Sequence, residues 1–326
     1  MTAQVRLKGV VLAALIGAAT LGACGGDSSS DSGAGSGADP AERRAAAQKL
    51  IEQAIAPNPK AGSARIDGTI DVEIKGVPQF AGTTEVTVGG VYDLPDGAQV
   101  PDFDVDVGLV LNDHALGGSL VLADRTAFIK LGSTGYKLPA AISQKIAEPA
   151  PAAENGLTKT AAMFYINPQT WQTNAELVGE TSIAGESTQH IKADISPERF
   201  YADIARLTRL LTLLRVTQAV GLPTALGPKV RAALVRSTTV ARGEVWIGTA
   251  DRVLRKAHLE GRLVVAQRDR EVLGGVTGAT LDAVINVSEV GEPHEVSAPT
   301  QLASYSSLRL SLDALGEAAR NSTRGK

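Results

Sequence analysis

The 326-residue chain contains one cysteine, and its surroundings suggest a specific chemistry. Cys24 follows Leu21-Gly22-Ala23, and Arg6 and Lys8 precede an apolar run from Val10 to Leu21. A short positive stretch, a short apolar stretch and small residues at a cut point make a secretory signal segment. The run is shorter than the ~20 residues a helix needs to cross a bilayer. A thiol placed directly after small residues is what a lipoprotein signal peptidase requires, with a diacylglycerol joined to the sulfur. The expectation is removal of residues 1–23 and an acylated Cys24 at the start of the mature chain. One buried acyl chain binds marginally and two anchor stably, since each methylene contributes roughly 0.8 kcal/mol. An inert small hydrophobe is the plain alternative. It explains neither the position of Cys24 nor the lack of any other cysteine.

No other set of residues carries a catalytic signature. G-x-S-x-G, H-E-x-x-H, the Walker loop and the dinucleotide glycine pattern are all missing from the sequence, so no enzyme activity is expected. His114, His190, His258 and His294 share no helical spacing, and no thiol is left to join them. No metal site and no cofactor is expected. Asp102, Asp104 and Asp106 alternate along one strand face. Hard cations favour oxygen ligands, but a row on a flat strand does not wrap an ion as a loop does, so a solvated face is expected. Arg199, Arg206, Arg209 and Arg215 occupy one helical stretch. Guanidinium forks match phosphate geometry, which suggests an anionic headgroup. Helix solubility and pairing with acids is the alternative.

Charge and composition narrow the classes further. The formal charge is −3, and loss of Arg6 and Lys8 takes it to −5, so nucleic acid is not an expected partner. With its one thiol acylated the mature chain has no disulfide, and its stability must come from a core. Residues 25–40, GGDSSSDSGAGSGADP, hold nothing that builds a core. They read as a tether with an end-to-end distance of about 20–25 Å.

Beyond the tether the elements follow from period and punctuation. Residues 40–56 form a helix with Leu50, Ile51, Ala54 and Ile55 on its apolar stripe, stopped by Pro57 and Pro59. From Ser63 the period drops to two, with Ala64, Ile66, Ile70, Val72 and Ile74 against Arg65, Asp67, Asp71 and Glu73. Strands follow at about 83–92, 103–111, 115–123 and 126–131, joined by short turns. A helix over 138–147, a proline-rich loop at 148–154, and a turn near 176–179 lead to a strand at 187–194. Ser196-Pro197-Glu198 opens a long helix expected to reach about Val220. Another helix starts near Pro228. Strands over 242–249, 254–266 and 279–290, a C-terminal helix over 300–318 and a fraying tail at 321–326 complete the chain.

With these elements in place, the sequence resembles the LppX/LprAFG family of actinobacterial lipoproteins. The likeness rests on Gly89-Gly90-Val91-Tyr92, Ala127-Phe128-Ile129-Lys130-Leu131 with Tyr136-Lys137-Leu138, and Trp171 after Asn167-Pro168. It continues in Glu244-Val245-Trp246-Ile247-Gly248 with Val253-Leu254-Arg255-Lys256, and in the stretch 284–299. These are fold-level patterns, and none is a catalytic motif. The chain is longer than usual for that family around 149–159 and 217–232.

The resemblance implies an α+β fold in which a strongly curved antiparallel sheet, an incomplete β-barrel, has helices covering its concave side. Residues 41–320 would form a single domain, similar to lipoprotein carriers of the LolA and LolB type. The implied function is binding of an acylated lipid or glycolipid in a hydrophobic cavity and its transport across the envelope. The implied location is the extracytoplasmic face of the cell membrane, with an envelope lipid exporter as a protein partner. The implied cavity lining is Val105, Val107, Leu109, Ile129, Leu131, Val245 and Ile247 from strands, and Leu207, Leu210, Leu211 and Leu214 from the long helix. A filled core would give the same apolar pattern, and a non-enzymatic envelope scaffold is the competing reading.

Overall fold

Strict alternation dominates the first strand, β1 (Ser63–Lys75), where Ala64, Ile66, Ile70, Val72 and Ile74 are buried and Asp67, Asp71 and Lys75 are exposed. Such a strand needs a neighbour on each edge and a cover on one face. The computed structural model describes residues 39–56, 58–77, 83–95, 98, 100–111, 114–147, 170–213, 226–308 and 310. It supplies both neighbours and the cover. β2 (Thr83–Asp93), β3 (Asp102–Leu111), β4 (His114–Ala123), β5 (Thr126–Leu131) and β6 (Thr134–Lys137) follow in order on one side of β1. On its other side β11 (Gly278–Ser288) pairs along the full length of β1, from Arg65 with Ser288 to Lys75 with Gly278. Next come β10 (Leu254–Val264), β9 (Thr238–Gly248), β8 (Glu186–Ile195) and β7 (Gln172–Ile183).

The helices among the described residues include α1 (Pro40–Ile55), α2 (Ala140–Ile146), α3 (Pro197–Leu213), α4 (Pro228–Ser237) and the four-residue α5 (Gln267–Arg270). Asp39 caps α1, its carboxylate accepting from the Ala41 amide at 2.8 Å, and Pro40 takes the first helical position. α3 and α4 pack on the apolar side of β1, β2, β3, β10 and β11, where Phe200, Tyr201, Ile204, Leu207, Ala233 and Leu234 meet Ile70, Val72, Leu263 and Leu281 in one buried cluster. α1 forms a second cluster, Ala47 and Ile51 against Ile191 and Ile247. Ile191 and Ile195 lie four residues apart in β8, so both clusters share one face of the sheet. Among the described residues no helix is long and apolar enough to cross a membrane.

The sheet does not form the incomplete barrel expected from the sequence. Twelve strands lie in the order β12-β6-β5-β4-β3-β2-β1-β11-β10-β9-β8-β7, and the sheet is neither closed nor strongly curled. It is also mixed. β12 (Leu302–Ala303) pairs parallel with β6 through Leu302 with Gly135 and Ala303 with Tyr136. Pro299 lies so close to Gly135 that any side chain there would collide with it. Alternation fixes which face of a strand is dry, but closure depends on strand tilt and stagger, which alternation does not encode.

Smaller corrections have local causes. Residues 172–183 form one strand, because Gly179, at φ +155°, sits at a register shift against β8 and does not turn the chain. β9 begins at Thr238, directly after α4. Residues 302–303 are strand, and helix begins only at 305. The signal segment, the tether up to residue 38, the loop at 148–154, the long helix beyond Leu213 and the tail lie outside the described residues.

Gly90, at φ +153°, is opposite Val105, and a Cβ there would collide with the Asp104 carbonyl oxygen and lie 2.8 Å from Val105 Cα. Gly90→Ala should therefore lower unfolding stability by on the order of 2–3 kcal/mol. Urea unfolding measures this, and a variant as stable as the parent would contradict the tight β2–β3 pairing.

Candidate functional site

The first turn of α3 lies over β9 and β10, and a narrow crevice separates them. Ser196 caps the helix: its hydroxyl faces the Arg199 amide at 3.5 Å and its carbonyl accepts from the Phe200 amide at 3.0 Å. The Ser196 amide in turn donates to the Trp171 carbonyl at 2.7 Å, which ties the helix start to the start of β7. Spacings of three and four residues bring Phe200, Tyr201, Ile204 and Leu207 onto the face toward the sheet, all buried.

Pro197, Phe200 and Tyr201 form the helix wall of the crevice. Ile195, Thr238, Val240, Ala241, Leu259, Gly261, Leu263 and Leu281 form the strand wall. The crevice is nearly closed: its interior volume is about 20 Å³, room for little more than one water and far below the roughly 300–1,000 Å³ of ligand sites. Ala241 and Gly261 are the small residues of the strand wall, and Leu281 packs closely over Gly261. A Cβ at Gly261 would already sit 3.3 Å from Leu281 Cβ.

Polar anchors hold the aromatic wall in place. The Trp171 indole N–H donates to Asp203 at 2.9 Å, and Trp171 meets Phe200 edge-on with ring centroids 5.0 Å apart. Phe200 meets Tyr201 at 5.1 Å in the same manner. Asp203 is 1 % exposed and also pairs with Arg206 one turn on. The Tyr201 hydroxyl lies 3.2 Å from Thr238 Oγ1. Burial pushes the phenol up to about 12, and the Thr238 hydrogen bond offsets only part of that rise.

Sequence reasoning placed the apolar lining elsewhere. Val105 and Ile129 are buried in the main cluster, with Leu109 and Leu131 partly buried against it. Leu207 is buried there too, further along α3. Val107 is 36 % exposed. Ile247, with Val245 packed beside it, belongs to the cluster under α1. Leu210 and Leu211 lie in the last turn of α3, Leu214 and Cys24 lie outside the described residues, and none of the predicted residues lines the crevice. The signal for the crevice was present in β10, where Leu259-Glu260-Gly261-Arg262-Leu263 alternates with a glycine at one inward position. Glycine at an inward position marks a close approach or a gap, and only the partner strands show which.

The opposite face of the sheet is charged. Glu260 pairs with Asp282, Asp282 with Asp71, and Asp71 with Glu85, so four carboxylates cross four neighbouring strands in one row. Farther along this face Lys130 holds Asp104 at 2.9 Å, and Ser119 bonds to Asp106. Burial raises the Asp102 carboxyl, with repulsion from Asp124 as a secondary cause. His190 stacks on Trp246 with centroids 4.4 Å apart, lies 2.7 Å from Glu244, and through that hydrogen bond holds Glu244 below the usual carboxylate range. His258 lies 3.1 Å from Asp282. Among the described residues no group of three or more histidines and carboxylates could hold a metal ion.

No protein-family model matches this chain, and no curated protein matches it. Among solved structures it is similar to lipoprotein LppX of Mycobacterium tuberculosis, at 14 % identity and a TM-score of 0.35, over 78 % of this chain and 99 % of that one. It is similar to LprF of Mycobacterium bovis at the same identity and TM-score, over 78 % of this chain and 97 % of that one. MucB in complex with MucA matches at 10 % identity and a TM-score of 0.26, over 79 % of this chain and 62 % of that one. Likeness this distant assigns no function.

The aromatic wall carries a pH signature. Tyr201 is neutral in the fold up to about pH 12 and ionises near pH 10 when unfolded. Between those values the folded state binds more protons, so stability is complete below pH 10 and falls as pH rises toward 12. The fall from this group is about 2–3 kcal/mol. Tyr201→Phe should flatten that decline in melts at pH 9–12, and parallel declines in the two proteins would contradict it.

Proposed function

We propose that this chain is a membrane-anchored lipoprotein that shelters the acyl part of a lipid or glycolipid and carries it between envelope membranes. In this reading Cys24 holds the protein at the extracytoplasmic face and residues 25–40 let it reach a donor or acceptor. Residues 41–320 act as one lipid-binding domain. The supporting observation is the crevice beneath the first turn of α3. It is walled by Phe200, Tyr201, Leu259, Leu263 and Leu281, with the small residues Ala241 and Gly261 on its floor, and at about 20 Å³ it is closed as it stands. Acyl chains favour such a surface because each buried methylene gains roughly 0.8 kcal/mol. The crevice is narrow, so entry requires α3 to shift on the sheet. A longer chain would then run along α3 past Leu207, over the sheet face of Val105, Leu109, Ile129 and Leu131; Leu210, Leu211 and Leu214 remain the further lining residues of this proposal.

Tight burial of Val105, Ile129 and Leu207 favours a second reading, a packed-core envelope scaffold that binds a protein on its exterior. Native mass spectrometry separates the two. The mature chain carrying Cys24→Ser, purified without detergent, should retain a stoichiometric lipid, and Ala241→Phe, which fills the crevice, should lose it while remaining folded. A lipid-free protein that also takes nothing from vesicles would favour the scaffold.

A further inference from the structure

Charge is divided between the two sides of this molecule. On the outer side of the helix layer, Arg199, Arg206 and Arg209 of α3, Lys229 and Arg236 of α4, and Arg268 of α5 are exposed. α3 packs on α4, and Arg236 joins α4 to α5 through Asp269 at 2.6 Å, so these bases belong to one surface. Around α3 to α5 opposing charge is sparse, and α1 on the same side is balanced, with exposed Asp39, Glu42 and Glu52 against Arg44 and Lys49. Glu198 and Glu271 are exposed, buried Asp203 is paired with Arg206, and buried Asp269 is shared by Arg236 and Arg268. The open face of the sheet is mixed but predominantly acidic: Glu260, Asp282, Asp71 and Glu85 are directly opposed across four strands, with Arg65, Lys75, Lys130, Lys192 and Arg262 among the bases on the same face. Carboxylates so placed repel one another at some cost to stability.

From this division we infer that the helix side, α3 with α4 and α5, seats on an anionic lipid surface, with the acidic row turned away from it. The inference rests on the lipid-carrier reading and specifies how the carrier is oriented. Three independent features agree. Lysine and arginine near an anionic leaflet each contribute favourably, whereas the acidic face is repelled. The apolar crevice runs beneath the same helix that carries Arg199, Arg206 and Arg209, so headgroup-binding charge and acyl-binding surface share one element. α1 packs on this same side of the sheet, so the chain leading from Cys24 through Asp39 joins the domain on the helix side. An acidic protein would satisfy the arginines and lysine but would have no use for an adjacent apolar crevice.

The test uses the mature chain carrying Cys24→Ser, so that charge and not the anchor decides binding. It is sedimented with phosphatidylcholine vesicles, with and without phosphatidylglycerol. Binding should require phosphatidylglycerol and weaken as salt is raised. The triple variant Arg209→Gln, Lys229→Gln, Arg268→Gln removes charges that anchor no other element. It should bind about a hundredfold more weakly, at roughly 1 kcal/mol per charge, with an unchanged melting temperature. Asp71→Asn with Asp282→Asn should bind at least as well as the parent. Equal binding by the triple variant, equal binding to both vesicle types, or no binding to either would overturn the orientation, the last result pointing to an acidic protein instead. A protein that holds lipid in native mass spectra yet ignores the charged vesicles loses only this inference. One that binds the vesicles but never holds lipid loses the carrier reading.

Discussion

The β1–β11 ladder is the joint on which the rest of the structure depends. These strands lie more than two hundred residues apart in the chain, yet they pair without interruption from Arg65 with Ser288 to Lys75 with Gly278. Every strand from β2 to β6 reaches the second half of the sheet through β1, and every strand from β7 to β10 reaches the first through β11. The ladder holds register because a one-residue slip would turn Ile70, Val72, Leu281 and Ala283 toward solvent and bring Asp71 and Asp282 into the core. Each of those aliphatic side chains contributes on the order of 1.5–3 kcal/mol by burial. Closing so distant a pairing is entropically expensive, so the halves should fold slowly onto one another.

Fixing that register also fixes the helix layer and the crevice. Leu281 of β11 and Leu259, Gly261 and Leu263 of β10 share the dry face that α3 covers. α3 starts where Ser196 is tied to Trp171, and Asp203 holds the indole from the next turn. The helix therefore begins at a determined height above the sheet, over the small residues Ala241 and Gly261. The same alternation puts the carboxylates of β10, β11, β1 and β2 in line on the far side. One pattern thus yields both an apolar interior that can be parted and a charged exterior.

Much of this was legible in the sequence, and its limits have physical causes. The strands at 63–75, 83–93, 102–111, 114–123 and 126–131 follow from period-two alternation and short turns; at the last hairpin Asp124 and Arg125 both adopt positive φ, as a two-residue hairpin turn demands. The starts of α1, α3 and α4 follow from Asp39, Ser196 and the prolines at 40, 197 and 228. Gly179 misled because a bulge and a turn use the same residue. Residues 302–303 misled because a two-residue parallel strand has no period to read. Whether the sheet closes, and which face Val245 and Ile247 share with which helix, depend on packing between distant segments. The crevice was missed for a related reason: it forms where α3 meets β9 and β10, a contact between distant segments that apolar patterning does not encode.

The central claim is that an acyl chain lodges between α3 and the β9–β10 pair. Photo-crosslinking addresses it most directly: a phospholipid bearing a diazirine along its acyl chain is loaded from vesicles, irradiated and mapped by peptide mass spectrometry. Adducts are predicted on the segments containing Phe200 and Tyr201, Val240 and Ala241, and Leu259 to Leu263. Adducts confined to α1 and β7, or scattered over the outer face of the sheet, would contradict the account.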